Sequence, residues 1–188
     1  MKPIFIAYYT KNTGYEQEVE NLRESLLKFD LEHDIQGIPN LGDWNKNTHY
    51  KPKFIKKMLL KHNKPVVYID ADAVICLEPI YFDDLICDIA VPKITWSEYR
   101  TRSDKVEILS GTLYFTPKAI NLVNKWIVLC DKQPIIWDQK LLAKLLNDTQ
   151  YLILPDEYCV IFDSMRKIKN PVIKHMQASR RFKREVKL

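Results

Sequence analysis

The amino-acid sequence predicts an α/β domain with a mostly parallel sheet and helices on both of its faces. Three observations carry this prediction. The first seventy residues read strand, helix, strand, helix, strand, an alternation that calls for right-handed crossovers with helices laid over a parallel sheet. The run Val66, Val67, Tyr68, Ile69, introduced by Pro65, is β-branched and aromatic, as in a buried strand. And 188 residues with 46% hydrophobic and 11% aromatic content suffice for a single domain with a sizeable core.

Taken in order, Ile4 to Tyr9 is the first strand. Thr13, with Glu16 three residues on, forms a capping box for a helix. Tyr15, Val19, Leu22 and Leu26 give that helix one apolar face before it ends near Phe29. His33 to Ile38 is the second strand, closed by Pro39, and the polar stretch Asn40 to Tyr50 is expected to be a loop. Pro52 opens the second helix, turning Phe54, Ile55, Met58 and Leu59 inward and Lys53, Lys56, Lys57 and Lys61 outward. The strand ending at Asp70 follows. Ile89 to Val91 is a short strand, and Lys93 to Lys105, which holds Trp96, Tyr99, Arg100 and Arg102, is expected to be a mobile substrate-covering loop. Gly111 to Phe115 resumes the sheet. Pro117 starts a helix facing inward through Ile120, Val123 and Ile127, and Asp138 caps another, with Leu141, Leu142 and Leu145 on its apolar side. Tyr151 to Leu154 is the last clear strand, and Val172 and Ile173 lead to His175.

Charge and cysteine usage narrow the function classes. The formal charge is +5, yet Arg166 to Leu188 holds nine Lys or Arg against Glu185, leaving the rest of the chain acidic. Such a tail could meet an anionic lipid surface or the phosphates of a ligand. Only Phe182 interrupts it, so the basic stripe interleaved with aromatics that binds nucleic acid is missing. Cys76, Cys87, Cys130 and Cys159 form no C-x-x-C pair, which suits reduced thiols and a cytoplasmic location. No stretch approaches the length of an apolar membrane span.

The chemistry is expected at Pro65 to Glu78. Asp70 and Asp72, with Ala71 between them, point to the same side at the period of two of a strand. Two buried carboxylates side by side need a cation or a basic partner. Hard oxygen ligands favour Mg²⁺ or Mn²⁺. Because ligands of parallel sheets bind at the carboxyl ends of strands, Tyr8, Tyr9 and Thr10 should lie near these acids. Neither G-x-G-x-x-G nor G-x-x-x-x-G-K-[ST] occurs, which removes the main support for P-loop and dinucleotide-binding readings.

Lys51-Pro52 with Phe54 and Ile55, VVYIDADAVICLEP, SGTLYF at 110 to 115, WDQKLL at 137 to 142 and VIKHMQASR at 172 to 180 follow one another in an order that resembles the GT-A type of glycosyltransferase. The likeness is greatest to the small nucleotide-diphospho-sugar transferases with an Asp-x-Asp motif, and it runs over most of the chain. It implies a single GT-A-like (Rossmann-like) domain over residues 1–188, with a nucleotide-binding half at 1–92, a donor-sugar and acceptor half at 93–175 and a basic tail at 176–188. It also implies Mn²⁺ or Mg²⁺ held by Asp72 and His175 with help from Asp70, and a nucleotide-sugar donor, UDP-sugar first. Tyr8, Tyr9, Thr10, Lys51, Asp70 and Gly111 would line the donor, with Arg180 and Lys183 on its diphosphate. Asp138 and Gln139 would face the donor sugar and the acceptor, a glycan or other hydroxyl compound. Gly111 would let the backbone approach the sugar closely. The plain readings are a solvated helix-start lysine for Lys51, a bulge for Gly111 and a helix cap for Asp138.

Two other classes compete. A phosphatase of the haloacid-dehalogenase type would use Asp70 as nucleophile, Asp72 as acid/base and Ser110 as its next motif, with Asp156-Glu157 as a poor late acidic pair. A non-catalytic nucleotide-binding module would keep the fold without turnover.

Overall fold

Strand β1 (Ile4–Thr10) is the strand from which the sheet is built. The computed structural model describes residues 1–99, 104–161 and 164–185, with the side chains of the last helix described only at 178–180 and 182. After β1 come α1 (Tyr15–Lys28), β2 (His33–Ile38), α2 (Trp44–His62), β3 (Val66–Ile69), β4 (Ala73–Ile75), β5 (Ile89–Val91) and β6 (Lys93–Thr95). The chain continues through α3 (Trp96–Tyr99), β7 (Val106–Ile108), β8 (Thr112–Phe115), α4 (Ile120–Lys132), α5 (Asp138–Leu146), β9 (Leu152–Ile153), β10 (Val160–Ile161), β11 (Ile173–His175) and α6 (Ala178–Glu185).

The main sheet has six strands in the order β2-β1-β3-β8-β5-β9. β1 runs parallel to β2 and β3, and β5 parallel to β9, whereas β8 runs against both its neighbours. Strand alternation divides its side chains between two layers. Ile4, Ile6, Tyr8, Val66 and Tyr68 pack under α2, α4 and α5, while Phe5, Ala7, Val67 and Ile69 pack against Val19, Leu22 and Leu26 of α1. This is the mixed α/β single domain expected, with helices on both faces.

A second sheet, β10-β11-β4, brings the end of the chain back to the middle. β11 lies antiparallel to β4 with His175 opposite Ala73 and Ile173 opposite Ile75. β4 is in turn anchored on α1, where Ser25 Oγ accepts the Ile75 N–H at 3.0 Å.

Several elements differ from the sequence expectation. The stretch 40–50 is not all loop: α2 starts at Trp44, because the Asp43 carboxylate accepts the Lys46 N–H at 2.8 Å as its N-cap. Pro52 therefore sits inside α2 rather than at its start, and with no N–H it cannot donate to the Thr48 carbonyl four residues earlier. The capping box at Thr13 is displaced: Thr13 Oγ1 accepts from the Tyr15 N–H at 3.3 Å, and Glu16 reaches back to the Asn12 N–H at 3.0 Å. The buried face of α4 is Leu122, Val123, Trp126 and Cys130; of the expected stripe Val123 is in the core and Ile120 packs partly buried against it, while Ile127 is only half-buried. The stretch 93–105 holds β6 and α3, and β6 pairs antiparallel with β7 just beyond it; Arg100 and Arg102 lie outside the described residues.

Candidate active site

The carboxyl ends of β1 and β3 open into a cavity of about 390 Å³. Tyr8, Tyr9 and Thr10 line it from β1, and Lys51 from α2. Asp70, Asp72 and Gly111 line it from the turns beside β3 and β8. Asp138 and Gln139 come from the start of α5, His175 from β11 and Arg180 from α6. All the predicted site residues except Lys183 thus meet in one cavity. The side chain of Lys183 lies outside the described residues.

Asp70 and Asp72 converge, but not by strand alternation. β3 stops at Ile69, and a tight turn, closed by the Ala73 N–H donating to the Asp70 carbonyl at 3.0 Å, carries both acids. The turn is pinned on either side, since the Asp70 N–H donates to Gly111 O at 2.9 Å and the Met176 N–H to Asp72 O at 3.0 Å. Asp72 Oδ2 accepts the Ala178 N–H at the start of α6 at 2.7 Å, an anion at a helix N-terminus. Burial alone would raise the Asp72 carboxyl, yet His175 and the Ala178 N–H hold it below the usual carboxylate range. Desolvation, opposed by Lys51 and reinforced by Asp72, pushes the Asp70 carboxyl upward.

The buried His175 faces Asp72 with Nδ1 3.9 Å from Asp72 Oδ1, and its Nε2 pairs with Thr112 Oγ1 at 2.9 Å. An Nε2–H donated to Thr112 leaves the Nδ1 lone pair on the side of the carboxylates, the arrangement that orients metal-binding imidazoles. Asp70, Asp72 and His175 each offer one ligand atom, all within 4.8 Å of one another. Two ligands of a Mg²⁺ held at ~2.1 Å stand at most ~4.2 Å apart, so closing on one ion needs only a small inward shift. Two carboxylates and one imidazole suit Mg²⁺ or Mn²⁺, and the residues therefore fit the expected cation. Gly111 has a specific reason to be glycine here: a Cβ would lie 2.9 Å from His175 Cε1. It leaves room for the histidine ring, a contact the expectation of close approach to a sugar did not foresee.

Lys51 is not a solvated helix-start lysine. It is 3% exposed, and its ammonium donates to Ser110 O and Oγ, both at 3.0 Å. It stands 3.1 Å from Asp138 Oδ2 and 3.3 Å from Asp70 Oδ1, and over the Tyr68 ring at 5.1 Å. Burial would lower its pKa; the two carboxylates outweigh burial and raise it. Asp138 is likewise not a helix cap. It is the first residue of α5, buried, with Oδ2 also accepting from Ser110 Oγ at 3.3 Å. Gln139 Oε1 accepts the Ser110 N–H at 3.3 Å. One buried ammonium thus couples the Asp-x-Asp turn to the start of α5, and Ser110 is its neutral partner. Tyr68, whose hydroxyl donates to Asp70 Oδ1 at 2.8 Å, was not foreseen either, although its place two residues before Asp70 on the strand could have indicated it.

At the other end of the cavity, the Tyr8 hydroxyl donates to Asn47 O at 2.7 Å, and Thr10 Oγ1 is 3.0 Å from Thr13 Oγ1. The tail folds back here. Gln177 adopts a left-handed φ of 57° that turns the chain into α6. Phe182 then packs edge-on against Tyr15 at 5.0 Å and sits where Gly14 has no side chain. Asp156 and Glu157, the poor late acidic pair of the phosphatase reading, do not line the cavity, and Asp156 accepts instead from the Tyr99 hydroxyl. Among the described residues no helix is long and apolar enough to cross a membrane.

No protein-family pattern and no curated relative matches the sequence. Solved structures do match the fold. A glycosyltransferase involved in the glycosylation of the major capsid of PBCV-1 is similar with a TM-score of 0.73 at 12% identity, over 93% of each chain. The glycosyltransferase GlyE of Streptococcus pneumoniae TIGR4 is similar in its apo form with a TM-score of 0.62 at 16% identity, over 93% of this chain and 54% of GlyE. A second GlyE structure gives 0.63 at 17%, with the same coverage. The chain thus spans about half the length of GlyE and nearly all of the PBCV-1 enzyme, and its fold is the GT-A-like fold that these glycosyltransferases share.

Proposed function

We propose that the protein is a metal-dependent glycosyltransferase that moves a sugar from a nucleotide-diphosphate donor, UDP-sugar being the donor expected first, to an acceptor hydroxyl. The observation that carries this reading is the convergence of Asp70, Asp72 and His175 on one cavity in a chain with the fold of glycosyltransferases. In this reading Asp72 and His175 would hold Mn²⁺ or Mg²⁺ with Asp70 beside them. When bound, the cation supplies positive charge that stabilises the leaving diphosphate.

The remaining steps belong to the chain's own side chains. Lys51 and the Tyr68 hydroxyl fix the Asp70 carboxylate. Tyr8, Tyr9 and Thr10 flank the base and ribose. Arg180, on the cavity wall, meets the diphosphate as charge accumulates there, and Lys183 is the second basic candidate. Asp138 keeps Oδ2 on Lys51 and Ser110 and so positions the donor-sugar side, while Gln139 offers its carboxamide NH₂ to the substrates. The four free cysteines support placing the protein in a reducing compartment such as the cytoplasm.

Calorimetric titration of UDP and GDP, with and without Mn²⁺, into the wild-type protein and Asp72→Asn tests the proposal. Asn keeps an oxygen for the Ala178 N–H, so the variant folds. Metal-dependent nucleotide binding that vanishes in the variant is expected. Equal binding without Mn²⁺, or in the variant, would overturn the reading.

A further inference from the structure

Trp44 and Trp137 both line the cavity, with ring centroids 5.6 Å apart and planes at 78°. Trp137 is 47% exposed, and the exposed Leu41 and Ile135 stand close to the two indoles in the chain. Two indoles in contact on the wall of a cavity, one of them half-exposed, mark a contact site rather than scattered exposure. The pair is firmly mounted: Asn45 Nδ2 donates to Ile135 O at 3.4 Å, and His49 Nε2 to Ile136 O at 2.8 Å. These bonds tie the first turns of α2 to the segment that carries Trp137.

The position of the pair relative to the metal-binding residues is readable along α2. Trp44, Asn47, Thr48 and Lys51 occupy one helical face and all line the cavity. At a rise of ~1.5 Å per residue, Trp44 lies about 10 Å along the axis from Lys51, and Lys51 touches Asp70. That separation is roughly the length of a disaccharide. The candidate metal ligands come from the Asp70–Asp72 turn and β11, whereas both indoles come from the N-terminal ends of α2 and α5.

We infer that Trp44 and Trp137 form the platform for the acceptor, and that the acceptor is a saccharide whose pyranose ring lies against the indoles. The inference rests on the transferase reading, in which the donor sugar occupies the space beside Asp70 and the second substrate takes the next ring position outward. A sugar ring presents an apolar C–H face and a hydroxyl edge. The platform offers the same pairing: two indoles on the cavity wall, with the Lys140 ammonium over the Trp137 ring 5.0 Å from its centroid and Gln139, the residue before it, also lining the cavity. Large, rigid aromatic side chains bind in this way at little cost in conformational entropy.

Saturation-transfer NMR on the full chain, with methyl glycosides of glucose, galactose, mannose and N-acetylglucosamine and their disaccharides as probes, tests this directly. At least one glycoside should receive saturation on the protons of one ring face. Its affinity should fall about tenfold or more in Trp137→Ala and Trp44→Ala and by less in Trp137→Phe, on the order of one lost aromatic contact. Mn²⁺ and UDP binding should match wild type in all three variants. The inference is overturned if no glycoside binds, if binding survives both alanine substitutions, or if the variants lose UDP binding, which would assign the indoles to the base. Glycoside binding through the indoles in a protein that binds no nucleotide would uphold the saccharide platform while defeating the transferase reading.

Discussion

Lys51 Nζ stands 3.1 Å from Asp138 Oδ2 with both side chains 4% exposed, and this ion pair joins two segments that lie 87 residues apart in the chain. Its second carboxylate, Asp70, is more open to solvent, at 38%. The pair therefore fixes the floor of the cavity and the Asp-x-Asp turn together.

Replacing Lys51 with Met should leave the Asp138 carboxylate buried without its cation. Destabilisation of about 3–5 kcal/mol is expected, the usual cost of breaking a buried pair from one side. Lys51→Met/Asp138→Leu should recover a large part of this loss, because the one carboxylate then left without Lys51, Asp70, reaches solvent and keeps the Tyr68 hydroxyl. Urea unfolding of the two variants and the wild type measures both steps. A loss under ~1 kcal/mol in the single variant would show that the pair is not structural.

Gly111→Ala should act on His175. The added Cβ would come within 2.9 Å of Cε1 and 3.1 Å of Nδ1, so the ring has to shift out of the position set by Thr112. The expected cost is roughly 1–3 kcal/mol of stability, as for other overpacked sites. Mn²⁺ affinity, read by calorimetry, should fall by about tenfold. Unchanged Mn²⁺ affinity would separate the ring's position from metal binding.

Asp34 gives a pH dependence away from the cavity. Burial would raise its carboxyl, but hydrogen bonds from Lys61, Gln36 and His62 outweigh burial and lower the pKa from 3.8 to about 2. Lys61 Nζ is 2.7 Å away and His62 Nε2 2.9 Å. A folded-state pKa below the unfolded one means stability that is full above about pH 4 and is lost as pH falls towards 2. Wild type should exceed Asp34→Asn by roughly 1 kcal/mol at pH 6, after allowance for screening, and the difference should close by pH 2. Chemical denaturation at pH 6, 4 and 2 measures it; a pH-independent difference would contradict the assignment.

Much of the site could be read in the sequence because its residues carry strong local signals. The strand-helix alternation of the first seventy residues, the α1 face Val19, Leu22, Leu26 and the α2 face Phe54, Ile55, Met58, Leu59 follow from periodicity, and the two faces are buried as expected. Helix starts were harder to place. Asp43 capped α2 earlier than Pro52 suggested, and Thr13 shared its role with Glu16 one residue off, since a cap depends on backbone geometry that residue type does not fix.

The sequence by itself determined the α/β alternation, a central strand that leads into Asp70 and the supply of carboxylate, imidazole and basic groups. It left the meaning of Lys51, Gly111 and Asp138 open between solvated, bulge or cap roles and site roles. Only the tertiary structure decided where they sit, because each depends on contacts between distant segments. The pairing of β4 with β11 sets His175 opposite Ala73, the α2 axis aims Lys51 at both Asp70 and Asp138, and the absence of a side chain at 111 makes room for the imidazole. Local propensity acts over a few residues, whereas such placements are fixed by sheet register and helix packing across the whole domain.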